Sequence, residues 1–140
     1  MPLKKYNEFI DPRSLEVMVG DSIFDMELCE NPEKGLSGRE NVSRDGMIFI
    51  FDESSSRSFH MKDCLIPLDI VFCDGGQVVK IHENCQPCEQ EECEKYTCES
   101  SDLVLEFPAG TCSKNSSLKE GSLCQILNFG SDKKVGIHSI

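Results

Sequence analysis

Three observations predict an all-β chain folded as a compact single-domain β-sandwich or barrel with a cysteine-rich loop. Short apolar runs rich in β-branched and aromatic residues recur along the chain, each closed by Gly, Pro, Asn, Asp or Ser. That is the pattern of strands and tight turns, not of βαβ units. The length of 140 residues suits one domain around one core. A composition of 39% hydrophobic and 28% charged residues is that of a soluble globular chain. No apolar run approaches the roughly 18 residues that a membrane-spanning helix needs.

The elements follow in order. Leu15 to Val19 and Ser22 to Leu28 flank Gly20-Asp21, a hairpin turn because glycine tolerates positive φ. Asn31-Pro32-Glu33-Lys34-Gly35 interrupts the sheet, and Met47 to Phe51 is a central strand, too short and too β-branched or aromatic for a helix. Asp52 to Ser56 reads as a turn, with Arg57 to Met61 returning as a hairpin partner. Pro67 lacks an N–H, so Leu68 to Phe72 starts a separate strand. Asp74-Gly75-Gly76 turns it into Gln77 to Ile81. Residues 83–101 read as a loop with four cysteines and many glutamates, Leu103 to Phe107 resumes the sheet, and Leu123 to Leu127 is the last core strand. The domain thus spans residues 14–127, between an N-terminal segment, 1–13, and a C-terminal segment, 128–140.

The 25 acidic against 14 basic side chains give a net charge of −11, which opposes binding to the phosphates of nucleic acid or of an anionic membrane. A small polar molecule or a protein remains as partner. The first residues are basic but lead into no apolar segment, so the expected compartment is the cytoplasm. Nine cysteines cannot all pair within one chain, so at least one thiol is free or shared with a metal or partner.

Three blocks carry a family resemblance. They are Gly35-Leu36-Ser37-Gly38-Arg39 followed by Gly46 to Phe51, then Phe59-His60-Met61-Lys62-Asp63-Cys64-Leu65-Ile66-Pro67-Leu68-Asp69-Ile70, and Leu105-Glu106-Phe107-Pro108-Ala109-Gly110. In this order they resemble the uncharacterised bacterial and archaeal family known as domain of unknown function 192. The resemblance implies a compact, jelly-roll-like β fold and no assigned activity. This chain departs from the family pattern at Ser37, where Met is usual, at His60, where Trp is usual, and at Asp63-Cys64, where Asn-Thr is usual.

The candidate ligand-binding residues are Arg39, Lys62, Asp69, Glu106 and His60. The first four match charged positions of the family blocks, and two cations with two carboxylates suit a polar or anionic small molecule. The plainer expectation is that they pair with one another, with Lys62 or Arg39 bridging Asp69, because breaking a buried ion pair costs roughly 3–5 kcal/mol. His60, on an apolar strand, is expected to be packed and hydrogen-bonded, and Cys64 to be a small buried hydrophobe. No Gly-x-Ser-x-Gly elbow, P-loop or dinucleotide fingerprint is present.

Cys85, Cys88, Cys93 and Cys98 follow C-x2-C-x4-C-x4-C, a spacing within reach of one tetrahedral zinc. The surrounding glutamates argue against a nucleic-acid-binding knuckle. The family resemblance offers the competing arrangement: Cys88 and Cys93, with Tyr96 behind them, match a cysteine pair of many exported members, which leaves Cys85 and Cys98 for a second bridge. On either arrangement the four are expected to cluster. The leading functional expectation is a non-enzymatic module binding a polar ligand or protein through the charged residues near Phe59 to Phe72. A carboxylate-based hydrolase or isomerase, and a structural zinc or redox module on the cysteine loop, are the alternatives.

Overall fold

A computed structural model describes residues 14–129. The N-terminal segment 1–13 and residues 130–140 of the C-terminal segment lie outside them. Seven strands and one short helix follow each other as β1 (Ser14–Val19), β2 (Ser22–Leu28), β3 (Gly46–Phe59), β4 (Leu68–Asp74), β5 (Gln77–Cys85), β6 (Tyr96–Pro108), α1 (Thr111–Lys114) and β7 (Cys124–Phe129). All strands belong to one sheet of order β5-β4-β6-β3-β2-β1-β7. The pairs are antiparallel except β2 with β3, whose parallel register is bought by the long connection through residues 29–45.

The two edges of the sheet curl toward each other. Gln77 of β5 bridges Leu123 just before β7, and the Cys124 amide donates to the Gly76 carbonyl at 2.8 Å. This partial closure removes much of the exposed edge that an open sheet would present. Inside the curl lies a core drawn from all seven strands, including Leu15, Val17, Phe24, Met26, Ile48, Val71, Val78, Leu105, Phe107 and Cys124. At the seam the thiols of Cys73 and Cys124 are in hydrogen-bond contact, which together with burial holds Cys73 well above the ordinary thiol range.

Strand alternation sends a second set of side chains to the other face. Met47, Phe49, Leu68, Ile70, Phe72 and Val104 form this outer layer, capped by Leu36, Met61 and Cys64 from the connecting segments. The strands expected from apolar runs are therefore present, as are the β1–β2 and β4–β5 hairpins, with Gly20 at φ 59° and Gly75 at φ 61°. Only Val78 of the Val78 to Ile81 run is fully buried.

Two expectations are overturned. Asp52 to Ser56 is not a turn, because β3 runs unbroken to Phe59 and pairs with the first half of β6 through register shifts near Ser55. Positions 52–54, in the register break between Ile50 and Ser55, are exposed on both faces, so polar residues are tolerated there. Residues 83–101 are not one loop either: β5 continues to Cys85 and β6 starts at Tyr96, leaving 86–95 as the connection.

Candidate functional site

The outer layer opens into a cleft of about 610 Å³ bounded by Pro32 to Ser37, by Phe49, Phe51 and Ser56 to His60 of β3 and its end, by Lys62 to Cys64, and by Glu106. The first block of the sequence builds one wall. Asn31 accepts the amides of Lys34 and Gly35, and Gly35 at φ 48° and Gly38 at φ 81° turn the chain so that Leu36 drops into the outer layer. Arg39 anchors this wall to β2 through two parallel hydrogen bonds to Glu27, at 2.9 and 2.8 Å, and Ser43 adds a third to the same carboxylate.

The second block builds the opposite wall. The Met61 carbonyl accepts the amides of Cys64 and Cys88, each at 3.1 Å, and the Asp63 amide donates to the Cys88 carbonyl. Asp63 is left-handed at φ 63°, a conformation that Asp and Asn tolerate better than other side-chain-bearing residues. Gly38 donates to the Asp63 carbonyl and so ties the two walls together. Behind them, Phe49, Phe59, Phe72, His82 and Tyr96 form a run of edge-on ring contacts at 5.0, 5.6, 5.8 and 5.4 Å, leading from the cleft to the cysteine loop.

Glu106 is the chemically exceptional residue. It stands on β6 between Met47 of β3 and Ile70 of β4, and alternation places it on the face of Val104, not of Leu105 and Phe107. Only 5% of its surface is exposed, and that surface faces the cleft. Its carboxyl has no hydrogen-bond or ion-pair partner among the described residues. Burial alone pushes its pKa from the ordinary 4.5 up to about 8. The neighbouring Cys64 thiol is raised to about 11 by burial and then by the negative charges of Glu106 and Asp63.

The expected bridge from Lys62 or Arg39 to Asp69 is absent. Arg39 is committed to Glu27, and the Lys62 ammonium donates to the Gln90 carbonyl at 2.8 Å. Asp69, fully buried, is satisfied by backbone instead: its carboxylate accepts the amides of Asn84 at 2.8 Å, Gly110 at 3.1 Å and Cys112 at 2.9 Å. Backbone donors compensate a buried carboxylate as well as a cation does, and a residue census does not display them. Of the five candidate residues, Lys62, His60 and Glu106 meet at the cleft, whereas Arg39 and Asp69 buttress its surroundings. His60 is exposed, not packed, and its Nδ1 accepts the Lys62 amide. Cys64 is buried as expected. Sequence reasoning missed Phe51 and Arg57, whose guanidinium lies 3.7 Å from the Phe51 ring centroid at the cleft wall.

The cysteine loop resolves into one bridge. Cys88 and Cys93 form a disulfide, while Cys85 and Cys98 are buried free thiols in the outer layer against which Cys88 also packs, so the expected second bridge is not formed. Cys85 lies at the end of β5 and Cys98 within β6, where each packs in the outer layer and hydrogen-bonds a local carbonyl. No group of three or more His, Cys, Asp or Glu among the described residues is disposed to hold a metal ion. No helix among them is long and apolar enough to cross a membrane.

Fold and cleft together define a small curled-sheet β domain with a carboxyl at the floor of a ring-lined cleft. The chain belongs to the family described as Uncharacterized ACR, domain of unknown function 192, matched over residues 16–126. It is similar to a crystal structure from Sinorhizobium meliloti 1021 described as a "putative transcription regulator", with 28% identity, a TM-score of 0.67, and coverage of 81% of this chain and 92% of that one. A protein of unknown function from Novosphingobium aromaticivorans DSM 12444 is similar at 25% identity and a TM-score of 0.67, covering 80% of this chain and 83% of that one. No curated protein matches the chain.

Proposed function

We propose that the domain is a non-enzymatic binding module that holds a small polar ligand in the cleft between the Pro32 to Ser37 wall, β3 and Lys62 to Cys64. One observation carries this: Glu106 is buried, lacks a partner among the described residues and faces an open cleft. A polar group left unpaired in an apolar wall costs stability, and a ligand that pairs with it recovers that cost on binding. The cleft sets Phe49, Phe51 and Phe59 among charged and hydroxyl side chains, and small-molecule sites likewise combine aromatic walls with polar groups that fix orientation. The net charge of −11 favours such a ligand over nucleic acid.

The enzyme alternative is weaker. The second buried carboxylate, Asp69, is held by backbone amides away from the cleft lining, and the cleft's cysteine, raised to about 11, is a poor nucleophile at neutral pH. A thermal-shift screen of metabolites on the wild type and on Glu106→Gln tests the reading, since a ligand of the native state raises its stability. Ligands that shift the wild type and lose their effect in the variant support it. A screen with no shift, or with equal shifts in both proteins, rejects it.

A further inference from the structure

The geometry points to a small amine bearing its own acidic group, seated with its ammonium against Glu106 and its acidic end at the cleft mouth beside Lys34 and Lys62. This rests on the binding-module reading above and narrows it to one class of ligand. The first argument is the missing cation. Three basic groups around the cleft are engaged elsewhere, Arg39 on Glu27, Arg57 over the Phe51 ring and on the carbonyls of Ser101 and Glu53, and Lys62 on the Gln90 carbonyl, and Lys34, which also lines the cleft, does not pair with Glu106. An ionised Glu106 thus has no cation paired with it among the described residues, and a ligand ammonium would supply one.

The second argument is the wall. Phe49, Phe51 and Phe59 line the cleft with Glu106, and rings beside a carboxyl suit an ammonium because the ring faces are electron-rich. An anion gains from that carboxyl only while Glu106 keeps its proton and donates it, and a neutral apolar molecule gains nothing. The third argument is the mouth. With Glu106 set aside, Lys34, Arg57 and Lys62 line the cleft against two carboxylates, Glu33 and Asp63. The cationic excess at the mouth disfavours a bare amine and favours one that carries a carboxylate or phosphate.

Occupancy has a proton balance. In the empty cleft burial keeps Glu106 largely protonated at neutral pH. An arriving ammonium stabilises the carboxylate, so the Glu106 proton passes to solvent and no covalent bond of the ligand changes.

Three probes that share a phenyl group separate the possibilities: phenylalanine, phenethylamine and 3-phenylpropionate. Calorimetry of the wild type at pH 7 in buffers of different ionisation enthalpy counts protons released on binding. The expected result is that phenylalanine binds best, phenethylamine binds, and 3-phenylpropionate fails. Each bound amine should release about one proton. In Glu106→Gln the amines should lose about tenfold or more in affinity, and proton release should vanish. Equal or tighter binding of 3-phenylpropionate, amine binding without proton release, or no binding by any probe overturns the amine assignment. A neutral or anionic hit from the metabolite screen that still needs Glu106 leaves the binding module standing while sinking this narrower inference. The wild-type proton count stands even if the variant folds poorly.

Discussion

Lys62 and Gln90 join the cleft to the disulfide loop: the Lys62 ammonium donates to the Gln90 carbonyl across 2.8 Å, and Gln90 lies inside the ring closed by Cys88 and Cys93. The same loop is bound to the cleft wall through the Cys88 amide and carbonyl, which pair with Met61 and Asp63. A covalent event in the loop therefore reaches a cleft residue through one side-chain and two backbone hydrogen bonds.

Opening Cys88–Cys93, by reductant or by Cys88→Ser with Cys93→Ser, should release residues 86–95 and the Lys62 side chain while β3 and β6 stay folded. Closing so short a loop is worth roughly 2 kcal/mol in the chain-entropy model. Amide hydrogen exchange is the measurement. Faster exchange confined to 86–95 and 61–64 is the expected outcome, and unchanged exchange there, or loss of protection across the sheet, contradicts it.

Asp69→Asn should destabilise the fold by roughly 2–3 kcal/mol, because an amide side chain offers one acceptor oxygen where the carboxylate offers two, and it turns donors toward backbone donors. The amides of Asn84, Gly110 and Cys112 converge on this group from the end of β5 and from the turn into α1. Urea unfolding of the variant tests this. A midpoint equal to that of the wild type would show that the three amides find other partners.

The apolar runs made the strands legible, because a run such as Leu68 to Phe72 is buried on both faces and has no other stable use. Asp69 within that run was legible as a charge needing compensation, but its partners are amides freed by turns, as at Gly110 with φ 97°. A side-chain inventory has no symbol for such donors. The polar stretch Asp52 to Ser56 looked like a turn because its own side chains are largely in solvent, where hydrophobic pattern carries no signal. Glu106 was legible as a candidate but not as a lone one. Only the parity of β6, which puts it with Val104, and the diversion of Arg39 to Glu27 leave it without a partner.

Gly46→Ala should cost roughly 1–3 kcal/mol through overpacking. A Cβ there would meet the Glu106 carbonyl oxygen at an impossible separation and the Met26 methyl at 2.9 Å. Gly46 opens β3 where it pairs with both β2 and β6, so neither neighbour can yield without moving the sheet. Thermal unfolding followed by circular dichroism checks it, and an unshifted transition would count against the packing argument.

The pH dependence of stability should carry the signature of Glu106. Its folded value of about 8 lies above the ordinary 4.5, so between these limits the native state holds a proton that the unfolded chain has released. Stability from this group is therefore fully present at acid pH and declines as pH rises through that window, flattening above the folded value. The shift corresponds to a few kcal/mol, as an order of magnitude. Glu106→Gln keeps the shape and removes the titration, so the wild type should lose ground to the variant steadily between about pH 5 and pH 8. Urea midpoints of both proteins across that range measure the difference, which cancels the other carboxylates. A constant difference would mean that Glu106 titrates alike in the folded and unfolded chains, and the buried, unpaired carboxyl at the cleft floor would have to be abandoned.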